Sequence, residues 1–278
     1  MYRIGSSERA DLPVAVVVGA GAMGTAVARR LAQQHRILLA DINATHAENV
    51  ATAMRSEGCD ARAVACDVTN AASVESLAKR VSETGRLRAI AHVAGLSPSL
   101  GDFATILRVN LTGVARVADA LLPLLGQGGA SVLIASLAAH NFRPSEEAVA
   151  ILRDPLAPDF VERLGAALGP EGETPQLAYA YSKWAVVDYA RRNAVKWGER
   201  GARIVSLSPG LIATSQGALE FEKSAGKRKL YERSPLAREG TMLEIADAVE
   251  FLLSPRATFI TGSDLLVDGG LAAAVALA

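Results

Sequence analysis

Cysteine is scarce in this 278-residue chain: only Cys59 and Cys66 occur, and their spacing matches neither a redox pair nor a metal knuckle. No disulfide framework and no metal centre are therefore expected, and a reducing cytoplasm is the simplest compartment. An excess of charge is missing too. The 29 basic residues balance 29 acidic ones, which removes the basic face that nucleic-acid binding requires. No apolar run approaches the ~20 residues of a membrane-spanning helix. Met1 to Leu12 mixes Arg3, Glu8, Arg9 and Asp11 with small residues where a secretory leader would be apolar. Internal repeats and low-complexity linkers are absent. What is present is a half-hydrophobic chain long enough to bury a sizeable core, which suits small-molecule chemistry.

Apolar runs bounded by turn residues alternate with segments of helical period, the pattern of a parallel sheet wrapped by helices. Strands are expected at Val14–Val18, Ile37–Asp41, Ala61–Cys66, Leu87–Val93, Ser131–Ala135, Arg203–Leu207 and Asp264–Val267. Helices are expected at Ala22–Gln34, Ala44–Ser56, Ala71–Ser82, Thr105–Leu125, Leu177–Trp197 and Met242–Leu253, with Gly126–Gly129 closing the fourth. The fold class is therefore α/β: a single Rossmann-type, doubly wound parallel sheet of about seven strands with helices on both faces. Its ligand site would lie at the carboxyl ends of the strands. We read 1–12 as an extension and 13–278 as one domain. An insertion at 138–176 and a loop at 211–240 break the rhythm where they would cover a ligand. The apolar tail after Gly270 is expected to pack on the fold or on a neighbouring subunit.

Gly19-Ala20-Gly21-Ala22-Met23-Gly24 follows the first strand and opens the first helix. That position aims backbone N–H groups and the positive helix end at a pyrophosphate. Asp41 closes the second strand about 20 residues on, where a carboxylate accepts from the adenosine ribose hydroxyls, with Ile42 beside it. The same carboxylate would repel a 2′-phosphate, which favours NAD(H) over NADP(H). A plain helix cap is the competing reading of Asp41, although Asn43 can do that work. Asp67-Val68 ends the third strand and either meets the adenine amino group or makes a turn with Thr69 and Asn70.

Tyr179 and Lys183 stand four apart on one helix face. A phenol with an ordinary pKa near 10 exchanges protons poorly at neutral pH, and a nearby ammonium favours its phenolate. Ser136, ending the fifth strand, is placed to hydrogen-bond a substrate oxygen. With these residues, the glycine loop, Asp67-Val68, Ala94-Gly95, Asn110 in Val-Asn-Leu-Thr-Gly, Pro209-Gly210 and Asp268-Gly269-Gly270 occur in order. In that order they resemble the short-chain dehydrogenase/reductase family across nearly the whole chain. The resemblance implies a tetrad: Tyr179 as general acid/base, Ser136 polarising the carbonyl, Lys183 binding the nicotinamide ribose and lowering the tyrosine pKa, and Asn110 holding a relay water. It also implies that Thr214 and the backbone of Ile212 bond the nicotinamide carboxamide. A strand-bridging role is the second reading of Asn110.

Three features depart from the family pattern. The glycine loop is one residue tighter than Thr-Gly-x-x-x-Gly-x-Gly, and His92 stands where Asn-Asn-Ala-Gly has an asparagine; we assign His92 a structural role, with a backbone hydrogen bond. The stretch from Ser136 to Tyr179 is enlarged, in a form similar to the bacterial 3α-hydroxysteroid dehydrogenase/carbonyl reductase branch. Its Phe142, Ile151, Leu152, Phe160, Val161 and Leu164 suit a substrate cover. Together with Leu211, Leu219 and Phe221 they point to a mainly hydrophobic ketone or secondary alcohol, steroid-like or acyl-type. Lys223, Lys227, Arg228 and Lys229 read as solvated surface. A homo-oligomer, dimer or tetramer, is expected from the resemblance. The rival readings are a catalytically silent NAD(H) sensor, which the intact Ser136, Tyr179 and Lys183 oppose, and an epimerase or dehydratase, which usually needs a larger carboxyl-terminal domain.

Overall fold

The structure is a computed structural model that describes residues 11–213 and 230–277. The strands are β1 Val14–Val18, β2 Arg36–Asp41, β3 Ala61–Ala65, β4 Leu87–His92, β5 Leu125–Ile134, β6 Arg203–Pro209 and β7 Asp264–Val267. They form one sheet in the order β3-β2-β1-β4-β5-β6-β7, parallel throughout. The order reverses between β1 and β4, so the ends of those two strands open the crevice where an α/β sheet takes its ligand.

Both faces of the sheet are covered, which explains why β1 reads Val-Ala-Val-Val-Val and is buried at every position. Against one face pack α1 Ala22–Leu31, α2 Ala44–Ser56 and α9 Met242–Leu253, through Val27, Ala51 and Val249 among others. The other face receives α3 Ala71–Thr84, the pair α4 Phe103–Leu107 and α5 Gly113–Leu121, and the long α8 Pro175–Gly198. Polar caps set the helix starts. Asn43 accepts from the backbone of His46, Asn70 from Ser73, and Thr241 with Glu244 closes a capping box on α9.

Several expectations need correcting. The helix expected over Thr105–Leu125 begins at Phe103, carries a π-helical turn at Arg108–Thr112, and ends at Leu121. Gly126–Gly129 does not close that helix but lies inside β5, whose register against β4 jumps from Leu87 opposite Leu125 to Ala89 opposite Ala130. A glycine-rich irregularity at the start of a strand thus looks, in sequence, like a loop. The insertion folds into α6 Glu146–Leu152 and α7 Phe160–Leu168, and Ile151, Leu152, Phe160 and Leu164 are buried in the core beside α8. The tail forms α10 Leu271–Ala276, with Leu271 fully buried.

His92 differs from expectation more sharply. It is 1% exposed at the end of β4, between Val18 and Leu133, and neither ring nitrogen has a partner among the described residues. Burial, with the Lys183 charge as a smaller contribution, pushes the ring down to about 3 from its ordinary 6.5. Folding therefore requires the neutral imidazole. The stability this group allows is complete above its unfolded pKa and is lost as pH falls from about 6.5 toward 3. Replacing His92→Gln should flatten the acid limb of stability, measured by urea unfolding between pH 6 and 4, by roughly 1.4 kcal/mol per pH unit. Acid limbs of equal slope would show that the ring does not stay neutral in the fold.

Candidate active site

The carboxyl ends of β1, β2, β4, β5 and β6 enclose a cavity of about 800 Å³. Its floor is the glycine loop, and the three loop glycines have different reasons to be glycine. Gly19 has φ +99°, and a Cβ there would stand 2.7 Å from the Ala94 nitrogen. At Gly24 it would stand 1.8 Å from the Gly19 carbonyl oxygen, so helix and loop close on each other only without a side chain. A Cβ on Gly21 would meet no protein atom within 4 Å. Gly21 begins α1 and lines the cavity, so the space its missing side chain leaves is open to a ligand rather than used for packing.

Asp41 stands above this loop. Its Oδ2 accepts from the Ala20 N–H at 2.7 Å and its Oδ1 from the Asn43 N–H at 2.8 Å. Asn43, not Asp41, caps α2, so the capping alternative for Asp41 fails. His46 Nε2 lies 3.0 Å from the Ala20 carbonyl and braces the loop from the other side, a contact without a signature in sequence. Asp67 uses Oδ1 for the Thr69 N–H and hydroxyl, while Asn70 caps α3. The turn reading of Asp67 is therefore realised; its residue still borders the cavity with Val68.

At the other end of the cavity Ser136, Tyr179 and Lys183 come together, contributed by the end of β5 and the first turns of α8. Thr174 caps α8 and Pro175 occupies its first turn, which sets where Tyr179 leaves the helix. Lys183 is 5% exposed. Its Nζ donates to the Ile134 carbonyl at 2.9 Å and lies 5.7 Å from the centre of the Tyr179 ring. Burial lowers this ammonium to about 8, so it is still charged at neutral pH. Ser136 Oγ accepts from the Ala138 N–H at 3.2 Å.

Asn110, at the centre of the π-helical turn, is fully buried. Its Oδ1 accepts from the Leu96 N–H at 2.7 Å and its Nδ2 donates to the Leu96 carbonyl at 2.9 Å, the bridging role of the two considered. That clamp fixes the loop after β4, and a Cβ on Gly95 would approach both Asn110 Oδ1 (3.3 Å) and Lys183 Nζ (3.4 Å). Pro209, Gly210 and Ile212 line the cavity; a Cβ on Gly210 would strike Asp268, whose carboxylate accepts from the Gly270 and Ala272 N–H groups. Ala22, Met23, Ile42 and Ala94 also border it. Thr214, Leu219 and Phe221 lie outside the described residues, as do the lysines and arginine of 223–229.

Leu96, Ser97, Thr105, Val109 and Glu239 line the cavity without having been anticipated. Leu96 and Ser97 follow Ala94-Gly95 directly, a proximity that sequence does offer; Thr105 and Val109 arrive from α4 and its π-helical turn. Among the described residues none of 138–176 borders this cavity. Phe142, expected in a substrate cover, packs edge-on against Tyr181 with ring centres 4.5 Å apart. No group of metal-ligating side chains occurs among the described residues.

The family model described as "Enoyl-(Acyl carrier protein) reductase" matches residues 19–174 and 164–272. The short-chain dehydrogenase/reductase bsc3 of Alternaria brassicicola is 31% identical over 92% of this chain and 94% of its own. D-threitol dehydrogenase of Mycolicibacterium smegmatis is 33% identical, with 94% of each chain covered. Among solved structures, the 3-alpha-hydroxysteroid dehydrogenase of Pseudomonas sp. B-0831 complexed with NADH superposes with a TM-score of 0.74 at 29% identity, covering 94% of this chain and 98% of that one.

The buried Lys183 makes the site a stability liability. Its folded pKa lies below its unfolded one, so the folded state disfavours the ammonium. That penalty is complete below about pH 8 and is relieved as pH rises toward 10.5. A shift of this size corresponds to about 3 kcal/mol. Lys183→Met should therefore raise the thermal midpoint at pH 7, and the gain over the parent should shrink as melting curves are recorded from pH 8 to 10.5. A variant less stable than the parent at pH 7 would show that the Ile134 carbonyl more than compensates the burial.

Proposed function

The chain belongs to the short-chain dehydrogenase/reductase family, and on that premise we propose that it is an NAD(H)-dependent oxidoreductase acting on a mainly hydrophobic ketone or secondary alcohol. The observation that carries this reading is the meeting of Ser136, Tyr179 and Lys183 at one end of a cavity whose other end is the glycine loop with Asp41. The residues present fit a dinucleotide. Open space stands over Gly21 at the amino end of α1, where a pyrophosphate would lie, and the carboxylate of Asp41 is already oriented by two backbone N–H groups. When bound, the nicotinamide supplies the hydride donor or acceptor.

In this reading the side chains of the chain handle the proton. The Ser136 hydroxyl donates to the substrate oxygen and holds it, and the Tyr179 phenol gives its proton to that oxygen in reduction or accepts one in oxidation. Lys183 stays cationic and favours the phenolate form by charge, while its bond to the Ile134 carbonyl keeps the ammonium beside the ring. Asn110 holds the loop after β4 through Leu96, and a relay water at this turn completes the path to solvent. Asp41 would discriminate against a 2′-phosphate by repulsion, with Asp67 and Val68 bordering the adenine end and Ile212 near the carboxamide, to which the family resemblance adds Thr214, outside the described residues. Leu96, Val109, Leu211 and Ile212 give the substrate end an apolar lining, which supports a hydrophobic rather than a sugar-like substrate. We read the protein as a cytoplasmic homo-oligomer of 13–278 as one domain; among the described residues no helix is long and apolar enough to cross a membrane.

Nicotinamide absorbance followed with a panel of ketones and alcohols tests the chemistry. Tyr179→Phe should lower hydride transfer by roughly 10²- to 10⁴-fold while nucleotide binding persists. Binding without turnover in the parent protein would instead indicate a nucleotide sensor. Asp41→Ser should raise kcat/KM with NADP(H) relative to NAD(H), and an unchanged ratio would remove Asp41 from cofactor selection.

A further inference from the structure

A second cavity, of about 180 Å³, lies between the chain that follows Ser136 and the stretch Trp184 to Arg191 of α8. His140, Arg143, Trp184, Asp188 and Arg191 line it, none of which borders the larger cavity. The charges around it are unequally matched. Asp188 is taken up by Arg153, through two contacts of 3.2 Å, and by Arg192 at 2.7 Å. His140 Nε2 lies 2.8 Å from Asp264 Oδ2 and 3.2 Å from Ser208 Oγ, and the Asp264 side chain is only 2% exposed. Asp188 is thus engaged by two arginines and Asp264 through Oδ2, its Oδ1 having no partner among the described residues, whereas Arg143 and Arg191 have no hydrogen-bond or ion-pair partner among the described residues. Most other arginines of the fold are paired, Arg29 with Glu57, Arg36 with Asp60, Arg55 with Glu48 and Arg238 with Glu244 among them.

From this arrangement we infer that the cavity binds a small oxyanion, a phosphate or carboxylate group, at a site separate from the cofactor cavity. The two planar guanidinium groups, of Arg143 on the post-Ser136 chain and Arg191 on α8, both exposed residues that line the cavity, are the donors that such an anion takes up in bidentate fashion. The volume is too small for a drug-sized ligand and suits a free oxyanion or the anionic end of a longer molecule. His140, hydrogen-bonded to the buried Asp264 carboxylate, adds a third nitrogen-bearing wall. The anion would bridge α8 to the chain seven residues beyond Ser136, at Arg143. The inference does not depend on the role proposed for Ser136, since binding is read without turnover.

Trp184 lines the cavity, while Trp197 is fully buried elsewhere on α8, so intrinsic fluorescence reports on the site. The full-length protein would be titrated with sodium phosphate, with sodium succinate, and with sodium chloride at matched ionic strength. Phosphate or succinate should give a saturable change that chloride does not. R143Q/R191Q should weaken it at least about tenfold, since both charge-assisted contacts are lost. R191E alone should do the same, which guards against a double variant that fails to fold. A response to phosphate only assigns a phosphoryl ligand, and one to succinate only assigns a carboxylate. A response that survives intact in both variants belongs to the glycine loop and overturns the inference, as does no saturable response to either anion.

Discussion

An ammonium kept almost out of water is the constraint around which this site is organised. Lys183 is placed by α8 under the end of β5, where only the Ile134 carbonyl receives it among the described side-chain and backbone contacts. Burial of this kind is unfavourable unless the cation is held, and among the described residues no carboxylate holds it. A carboxylate partner would neutralise the charge that the proposed role of Tyr179 requires beside its ring. A backbone carbonyl fixes the position and leaves the charge in place. The neighbouring imidazole of His92 is held neutral by the same burial and so adds no competing cation.

The geometry that surrounds Lys183 rests on backbone clearance more than on side-chain bonds. Gly95 lets the loop after β4 pass within van der Waals reach of both Lys183 and Asn110, and Asn110 closes two hydrogen bonds on Leu96 from its π-helical turn. The distant end follows the same logic. Gly19 and Gly24 bring α1 against the strand end, and the Ala20 N–H ties the loop to Asp41. The tie is reciprocal: the loop orients the carboxylate, and the carboxylate keeps the loop from lifting into the cavity. A tight Gly-x-Gly-x-x-Gly turn is sufficient for this because β1 and β2 are adjacent and in register, Val18 beside Ala40.

The buried strands and the helix starts were legible because their physical causes are local. Continuous apolar runs announce strands covered on both faces, and Asn43, Asn70 and Thr241 mark helix starts by side-chain chemistry. The convergence of Ser136 with Tyr179 and Lys183 was legible only through the order of signposts along the whole chain, since nothing local joins β5 to α8. Three features had no local cause to read. The bulged start of β5 depends on pairing with β4, and its glycines look like a loop when taken alone. Ile134 acts through its carbonyl, which every residue possesses. The partnerless state of His92 is a property of its neighbours Val18 and Leu133, not of histidine.

The insertion shows why composition alone misassigns a substrate cover. Amphipathic segments with buried apolar faces are what a lid needs, but they are equally what an extra layer of core needs, and the two differ only in what lies beneath. Here Phe160 and Leu164 of α7 and Ile151 and Leu152 of α6 are spent in the same core cluster as Tyr181, Val186 and Tyr189 of α8, and Thr112 donates to the Pro155 carbonyl at 2.9 Å to fasten the segment to the π-helical turn. The apolar surface left facing the cavity comes instead from the loop after β4, from the π-helical turn, and from Leu211 and Ile212 after β6. Among the described residues these shorter segments, and not the insertion, form the cavity wall, so a single side chain on them changes the outline that a bound molecule meets.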